Sequence, residues 1–303
     1  PVEGLSNDQA RQFLAGDIAF NDEVFTGATG LGPLFVATSC GSCHPGDGKG
    51  HPSNALTRFG QSDSTGNQFL HLGGPQLQHR ALPGFGPEVI PAGATFSKIL
   101  PPASTGLGFL EIVSDADILA LADPGDLNGD GISGRPNWVR LPDYLAPRPF
   151  AIAQNGRYIG RFGKKAAVYD LLQQTANAYN QDMGITSNYE PFDTWSGAAL
   201  DPEVSNQTVE DVAFYLRTLK APIARNQSDP AVVAGKRIFE ETGCAACHTP
   251  TLRTGASPIA ALAFQEIHPY TDLLLHDMGP ELDDGYTEGN ALSSEWRTPP
   301  LWG

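Results

Sequence analysis

Cys40-Gly-Ser-Cys43-His44 and Cys244-Ala-Ala-Cys247-His248 are the two most informative segments of the sequence. Both have the form CxxCH, and together they use all four cysteines of the 303-residue chain. In a CxxCH segment two thioether bonds attach a haem, and the adjacent histidine ligates its iron. A thioredoxin-like redox pair and half of a zinc site are the alternatives, but both need partner residues that the sequence lacks. We therefore predict two covalently bound c-type haems.

Location and partners follow from the attachment chemistry and the charge. Thioether-bound haem is completed outside the cytoplasm, the sequence has no run of 18 apolar residues, and Pro1 opens no signal-like stretch. We therefore expect a processed periplasmic protein without a transmembrane segment. The formal net charge of -15 argues against nucleic acid and anionic lipid as partners. It suits a basic electron-carrier protein, although a plain solubilising surface explains the same charge.

Regular structure is expected to be interrupted by long loops, because the chain contains 34 glycines and 25 prolines. A capping box at Ser6–Gln9 predicts a first helix. Apolar spacing over Lys165–Tyr179 predicts another, and Thr208 with Asp211 predicts the cap of a third. Residues 44–110 read almost entirely as a loop, which we expect to wrap the first haem.

A linker is predicted at Pro222–Asp229, where Asp229 and Pro230 have the form of a helix N-cap followed by proline. In the helix that follows, Gly235 would let a second helix cross closely. The sequence thus predicts an N-terminal haem domain at 1–222 with long wrapping loops and a C-terminal cytochrome c-like haem domain at 223–303. The predicted fold class is mainly α with long loops, built from two cytochrome c-like haem domains.

The second axial ligand of each iron decides between electron transfer and catalysis. Met183 and Met278 are the only methionines, so each is a candidate ligand, with filling a gap in the core as the alternative. Five histidines lie outside the CxxCH segments, and none has a spacing that compels ligation: His51, His71, His79, His268 and His276. A haem ligated by two histidines therefore stays open.

A calcium loop is predicted at Asp126, Asn128 and Asp130, which follow the alternating D-x-N-x-D-G pattern of a calcium-binding turn. The acidic residue of a complete EF-hand is absent, because position 12 is Asn137. An Asp- and Asn-rich turn without metal is the alternative. The predicted ion would be structural and close to the haem interface.

Several segments together resemble the bacterial di-haem oxidoreductases described as thiol oxidoreductases, distant relations of the di-haem cytochrome c peroxidases. The resemblance runs over nearly the whole chain and rests on the spacing of the two CxxCH segments and on five others. These are 123–137 (DPGDLNGDGISGRPN), 160–165 (GRFGKK), 182–187 (DMGITS), 271–279 (TDLLLHDMG) and 295–303 (EWRTPPLWG).

The resemblance implies a mostly α-helical protein in which the haem at His248 relays electrons and the haem at His44 reacts with a small molecule. Glu111 is the candidate acid or base over the reactive haem, with a solvated glutamate as the alternative. Chains of this family continue past Gly303 through a histidine-containing tail that, in the related peroxidases, holds the sixth ligand of the relay haem. Met278 is the local replacement.

Three functions follow. The first is a peroxidase-like di-haem oxidoreductase that moves electrons between peroxide, a thiol or another small substrate and a periplasmic carrier, with chemistry supplied by haem. The second is a pure electron-transfer protein with two six-coordinate haems. The third is a binding or assembly component of a periplasmic iron-handling system, in which the haems are structural or sensory.

Overall fold

A computed structural model of the chain describes residues 1–63 and 66–302. Over these residues it contains seven α-helices. They are α1 (Asn7–Asn21), α2 (Cys40–Cys43), α3 (Leu107–Glu111), α4 (Asp115–Ala120), α5 (Leu171–Met183), α6 (Asn206–Thr218) and α7 (Pro230–Glu241).

The first helix begins at the predicted capping box. Ser6 Oγ accepts the backbone N–H of Gln9 at 3.2 Å, and the Gln9 side chain accepts the Ser6 N–H at 3.0 Å. Helix α1 packs against α6, and a Cβ at Gly16 would lie 2.1 Å from the Asp211 carbonyl oxygen. The close helix crossing expected at Gly235 is found here instead, because nothing lies within 4 Å of a Cβ built at Gly235.

Two predicted helix starts were misplaced. Helix α5 begins after Asp170, whose carboxylate accepts the N–H of Gln173 at 2.8 Å, and not at Lys165. The residues before it are held by an antiparallel bridge between Phe162 and Val168. Helix α6 is capped by Ser205, whose Oγ accepts the Thr208 N–H at 3.1 Å, so Thr208 receives the cap and does not form it.

Twelve short strands accompany the helices in the described part of the chain. They are β1 (Leu34–Phe35), β2 (Leu56–Phe59), β3 (Ser62–Asp63), β4 (Gly66–Asn67), β5 (Arg80–Ala81), β6 (Phe96–Ile99), β7 (Trp138–Val139), β8 (Tyr158–Ile159), β9 (Leu252–Arg253), β10 (Glu266–Ile267), β11 (Leu275–Asp277) and β12 (Glu295–Arg297). All pair antiparallel, as β1–β5, β2–β6, β3–β4, β7–β8, β9–β10 and β11–β12.

The expectation of a mainly α chain of two cytochrome c-like haem domains is wrong, because helices account for 29% of the structure and strands for 15%. Strand pairing appears where the sequence predicted only loop. In the 44–110 segment, β2 pairs with β6 from Leu56 opposite Ile99 to Phe59 opposite Phe96. The two strands are separated by a stretch too rich in glycine and proline to reveal their pairing, and packing of fully buried Phe59 fixes their register.

The core is formed by three large apolar clusters. The first joins α1, α5 and α6, the second lies around Tyr179 and Met183, and the third joins Leu110 and Ile159 to Leu273 and neighbouring leucines. Residues on either side of residue 222 contact one another, for example Arg135 and Leu275 in an antiparallel bridge. The division of the chain into domains at that residue stays a prediction.

Candidate functional site

The first CxxCH segment is folded as one helical turn. Ser39 Oγ caps α2 by accepting the Ser42 N–H at 3.2 Å, and the His44 N–H donates to the Cys40 carbonyl at 3.0 Å. Burial raises the pKa of Cys40 to about 12 and that of Cys43 to about 11. These thiols are thus held in the neutral form, unlike the low-pKa thiolate of a thiol–disulfide redox pair.

The imidazole of His44 is enclosed. Its ring centroid lies 5.9 Å from that of Phe20, and its Nδ1 lies 3.4 Å from Ser104 Oγ. Burial lowers the pKa of His44, so the ring is neutral at pH 7, which is the state that ligates a metal. The residues of this segment therefore fit a covalently attached haem with a histidine ligand.

The second CxxCH segment presents its histidine in a defined tautomer. The His248 N–H donates to the Cys244 carbonyl at 3.0 Å, and His248 Nδ1 lies 2.8 Å from the Tyr270 carbonyl oxygen. A carbonyl can only accept, so Nδ1 carries the proton and Nε2 keeps the lone pair that an iron needs. The Phe239 ring packs at 5.6 Å from Tyr270 and supports this arrangement.

Helix α7, which leads into the second segment, has no buried side chain. Its apolar residues Val232, Val233 and Ile238 are 40%, 56% and 53% exposed. A flat apolar group held at Cys244 and Cys247 would cover such a face, and haem has that character. The second segment therefore also fits haem.

Two adjoining cavities lie beside the first segment. The larger has a volume of about 400 Å³ and the smaller about 100 Å³, and they share five lining residues: Arg58, Val168, Asn177, Gln181 and Glu288. The smaller cavity is also lined by Pro101 and Pro102. Pro101 accepts the Gly50 N–H at 3.0 Å, and the Ser104 N–H donates to Asp47 at 2.9 Å. The 101–104 segment thus places the smaller cavity next to the His44 turn, and the larger cavity adjoins the smaller one.

Arg58 is the central charged group of these cavities. Its Nη2 donates to Glu288 Oε1 at 2.5 Å, its Nε to Tyr286 Oη at 3.2 Å and its Nη1 to Gln181 Oε1 at 3.3 Å. Burial disfavours the charged form, but Glu288 and Tyr286 outweigh it and raise the pKa of Arg58. The guanidinium therefore stays charged, and it has further N–H groups for a bound molecule. No sequence pattern indicates this pair, because Arg58 and Glu288 are 230 residues apart.

Glu111 lies elsewhere. Its carboxylate is buried, accepts the Leu171 N–H at 2.9 Å and pairs with Arg217 Nε at 2.9 Å. It is thus not a solvated residue, and it is not among the described residues that line the two cavities. Its role as acid or base stays a prediction.

The two methionines have contrasting positions. Met183 is 2% exposed and packs in the cluster around Tyr179, whereas Met278 is 49% exposed. Neither iron-ligand prediction is tested by these positions. A histidine, His276, contacts the second segment: its Nδ1 lies 3.5 Å from Cys247 Sγ, and its Nε2 lies 2.7 Å from Asp272 Oδ2. The sequence placed His276 only among five unassigned histidines.

The predicted calcium loop is exposed, and its acceptors face its own backbone. Asp126 accepts the Gly131 N–H at 3.2 Å, Asn128 accepts the Asp130 N–H at 2.9 Å, and Asp130 accepts the Ile132 N–H at 2.8 Å. Over residues 1–63 and 66–302 no group of three or more His, Cys, Asp or Glu residues is arranged to hold a metal ion. Calcium binding by this loop stays a prediction.

Comparison with known proteins gives one match. The family described as "Di-haem oxidoreductase, putative peroxidase" matches residues 98–303, which is more than half of the chain. The match includes the second CxxCH segment and begins after the first. Neither the curated proteins nor the solved structures include a match to this chain. In the described residues, no helix is both long enough and apolar enough to cross a membrane.

Proposed function

The chain belongs to the di-haem oxidoreductase family, and from this premise we propose that it is a periplasmic oxidoreductase of the peroxidase type. Cys40 and Cys43 attach one haem and Cys244 and Cys247 the other, with His44 and His248 as iron ligands. A small oxidant such as peroxide is reduced at the His44 side, and electrons enter from a soluble carrier at the His248 side. The bound haems supply the electron transfer, and the chain supplies ligation, access and charge.

The observation that carries this proposal is the pair of cavities beside the His44 turn. The larger cavity, of about 400 Å³, is at the lower end of the volumes of small-molecule pockets, and it shares five lining residues with the smaller cavity beside the His44 turn. Arg58, held by Glu288 and Tyr286, offers that space a fixed positive charge and hydrogen-bond donors. Donors fixed before the substrate arrives stabilise negative charge that develops on an oxygen during its reduction.

The expected carrier follows from the charge and from the second segment. The net charge of -15 supports docking of a basic protein, because opposite surface potentials steer encounter. Cys244 is exposed, so a haem attached at the second segment would lie at the surface, which supports electron entry at that side. A periplasmic location is supported by the need to complete thioether attachment outside the cytoplasm.

The test is spectroscopic first. Low-temperature EPR and optical spectra of the purified protein, as isolated and half-reduced, would be recorded before and after adding peroxide or a thiol. A high-spin component that responds to peroxide is expected. If both haems stay low-spin on half-reduction and after addition of peroxide or a thiol, the proposed enzymatic function would be refuted and pure electron transfer favoured.

A matched pair of variants then tests the cavity. Arg58→Gln is expected to lower peroxide turnover by about 10²-fold, the usual cost of losing one fixed donor. Arg253→Gln is the control, because Arg253 is an exposed arginine paired with exposed Glu266. Equal turnover in the two variants, at equal haem content, would show that the cavity at Arg58 is not the reactive site.

A further inference from the structure

A second group of basic side chains lies beside the smaller cavity. Arg297 is 9% exposed, and its backbone N–H donates to the Lys164 carbonyl at 2.8 Å, which places the two residues side by side. Lys49, an exposed residue five positions after His44, acts on Lys164 through its charge. This cation cluster (Lys49, Lys164 and Arg297) gathers positive charge within a protein whose net charge is -15.

The cation cluster has no carboxylate partner among the described residues. Arg297 Nε donates to the Gly163 carbonyl at 2.9 Å and its Nη1 to the Thr298 carbonyl at 3.0 Å, so its partners are neutral. No Asp or Glu oxygen of the described chain lies within 4 Å of Lys164 or Arg297, although other buried cations, such as Arg58 and Arg161, have such partners. A guanidinium taken out of water without a counter-charge is costly, so the position of Arg297 calls for a bound anion.

The carboxylate of Asp272 does not balance the charge of Arg297. Asp272 is 1% exposed and acts on Arg297 through its charge, but its carboxylate is hydrogen-bonded to His276 Nε2 at 2.7 Å. Burial lowers the pKa of Arg297 to about 10 despite Asp272. Burial and the charges of Arg297 and Lys49 likewise lower the pKa of Lys164. Two carboxylates, Asp182 and Glu288, line the smaller cavity together with Lys164, but Glu288 is paired with Arg58 and burial raises the pKa of Asp182 to about 6.

The position of the cluster indicates which anion it binds. Lys164 lines the smaller cavity beside the His44 turn, together with Pro101 and Pro102. A haem held at Cys40 and Cys43 brings two carboxylates, its propionates. We propose that Lys49, Lys164 and Arg297 form a carboxylate-binding site for the propionates of the haem attached at the first CxxCH segment. The proposal rests on haem attachment at that segment, which is part of the proposed function.

The consequence is electrostatic. A positive charge beside the haem edge favours the state with one more electron, so the cluster raises the reduction potential of that haem. Arg297→Gln and Lys164→Gln should each lower its reduction equilibrium constant about tenfold, which is about 59 mV for one electron. Arg297→Lys keeps the charge and should retain most of the potential. Lys98→Gln and Arg253→Gln, at exposed positions, are the charge-matched controls and should leave it unchanged.

The experiment is a spectroelectrochemical titration of the purified holoprotein, with haem attachment at each peptide checked by mass spectrometry. We expect one of the two haem transitions to shift in Arg297→Gln and Lys164→Gln. If both haems are attached and neither transition moves in Lys164→Gln, whose half-buried site tolerates the change, the proposal is overturned. Absence of haem at the first peptide of the unmodified protein would instead refute the proposed function.

A free anion is the competing occupant, and inorganic phosphate is the probe. If propionates fill the cation cluster, phosphate added at constant ionic strength should leave the midpoint potentials of the unmodified protein unchanged. A saturable shift that disappears in Arg297→Gln would mean that the cluster takes anions from solution, and the propionate assignment would then be wrong.

Discussion

Removal of the Asp115 charge should destabilise the protein strongly. Asp115 and Arg161 form an ion pair in which the side chains are 2% and 1% exposed. Arg161 Nη1 also donates to the carbonyls of Leu110 at 3.1 Å and Val113 at 2.6 Å, while Asp115 Oδ2 accepts the Ile152 N–H at 2.8 Å. Asp115→Asn keeps the shape but leaves the guanidinium buried without a counter-charge.

The expected loss in the free energy of unfolding follows from that burial. Breaking a buried pair by removing one partner costs about 3–5 kcal/mol, because the remaining charge stays desolvated. Burial is the largest cause that lowers the pKa of Arg161, and repulsion by Arg148 is the second. Arg148 lies 3.9 Å from the Asp115 carboxylate, so Asp115→Asn would leave two neighbouring cations without their counter-charge. With a urea m-value of about 3 kcal/mol/M, the midpoint of unfolding should fall by about 1–1.7 M.

The assay is urea unfolding of the holoprotein at pH 7, followed by far-UV circular dichroism. Asp8→Asn is the control, because its ion pair with Arg11 is 85% and 74% exposed and should be worth less than about 1 kcal/mol. A midpoint for Asp115→Asn within about 0.3 M of the unmodified protein, at equal m-value, would refute the reasoning about this pair.

Two further predictions concern packing and pH. Gly16→Ala should lower the thermal unfolding temperature by several degrees, since its Cβ would lie 2.1 Å from Asp211 O, whereas Leu14→Ala on the exposed face should change it little. Burial opposes protonation of His276, but the hydrogen bond to the Asp272 carboxylate is the main cause that raises its pKa. Because this pKa is raised above the unfolded value of about 6.5, the stabilisation is complete below pH 6.5 and is lost as pH rises through the raised pKa. Unfolding free energies measured from pH 6 to 11 should show this loss, and an unchanged pH slope in Asp272→Asn would contradict it.

Four of the segments on which the family resemblance rests contact one another. Lys165 Nζ donates to the carbonyls of Glu295 and Ser293, each at 2.8 Å, and the Glu295 carboxylate pairs with Arg135. The Arg135 N–H donates to the Leu275 carbonyl at 3.0 Å. The 123–137, 160–165, 271–279 and 295–303 segments therefore form one framework, which holds the cation cluster and His276 in place.

By itself the sequence determined the features that depend on neighbouring residues. The two CxxCH segments and their histidines were evident from spacing, and the capping box at Ser6 was confirmed because its hydrogen bonds span three residues. The family was identified from short segments and confirmed by the match over residues 98–303. Features such as a CxxCH segment or a capping box involve residues close together in sequence, so they can be predicted without knowledge of the fold.

Only the tertiary structure decided which distant residues meet. The sequence wrongly predicted a mainly α chain, because antiparallel pairs such as β2–β6 join segments 40 residues apart and leave no periodic signal. Arg58 and Glu288, and Cys247 and His276, are brought together across 230 and 29 residues. Burial and neighbouring charges determine whether such a side chain is charged and whether a ligand can reach it, and both depend on how the whole chain packs.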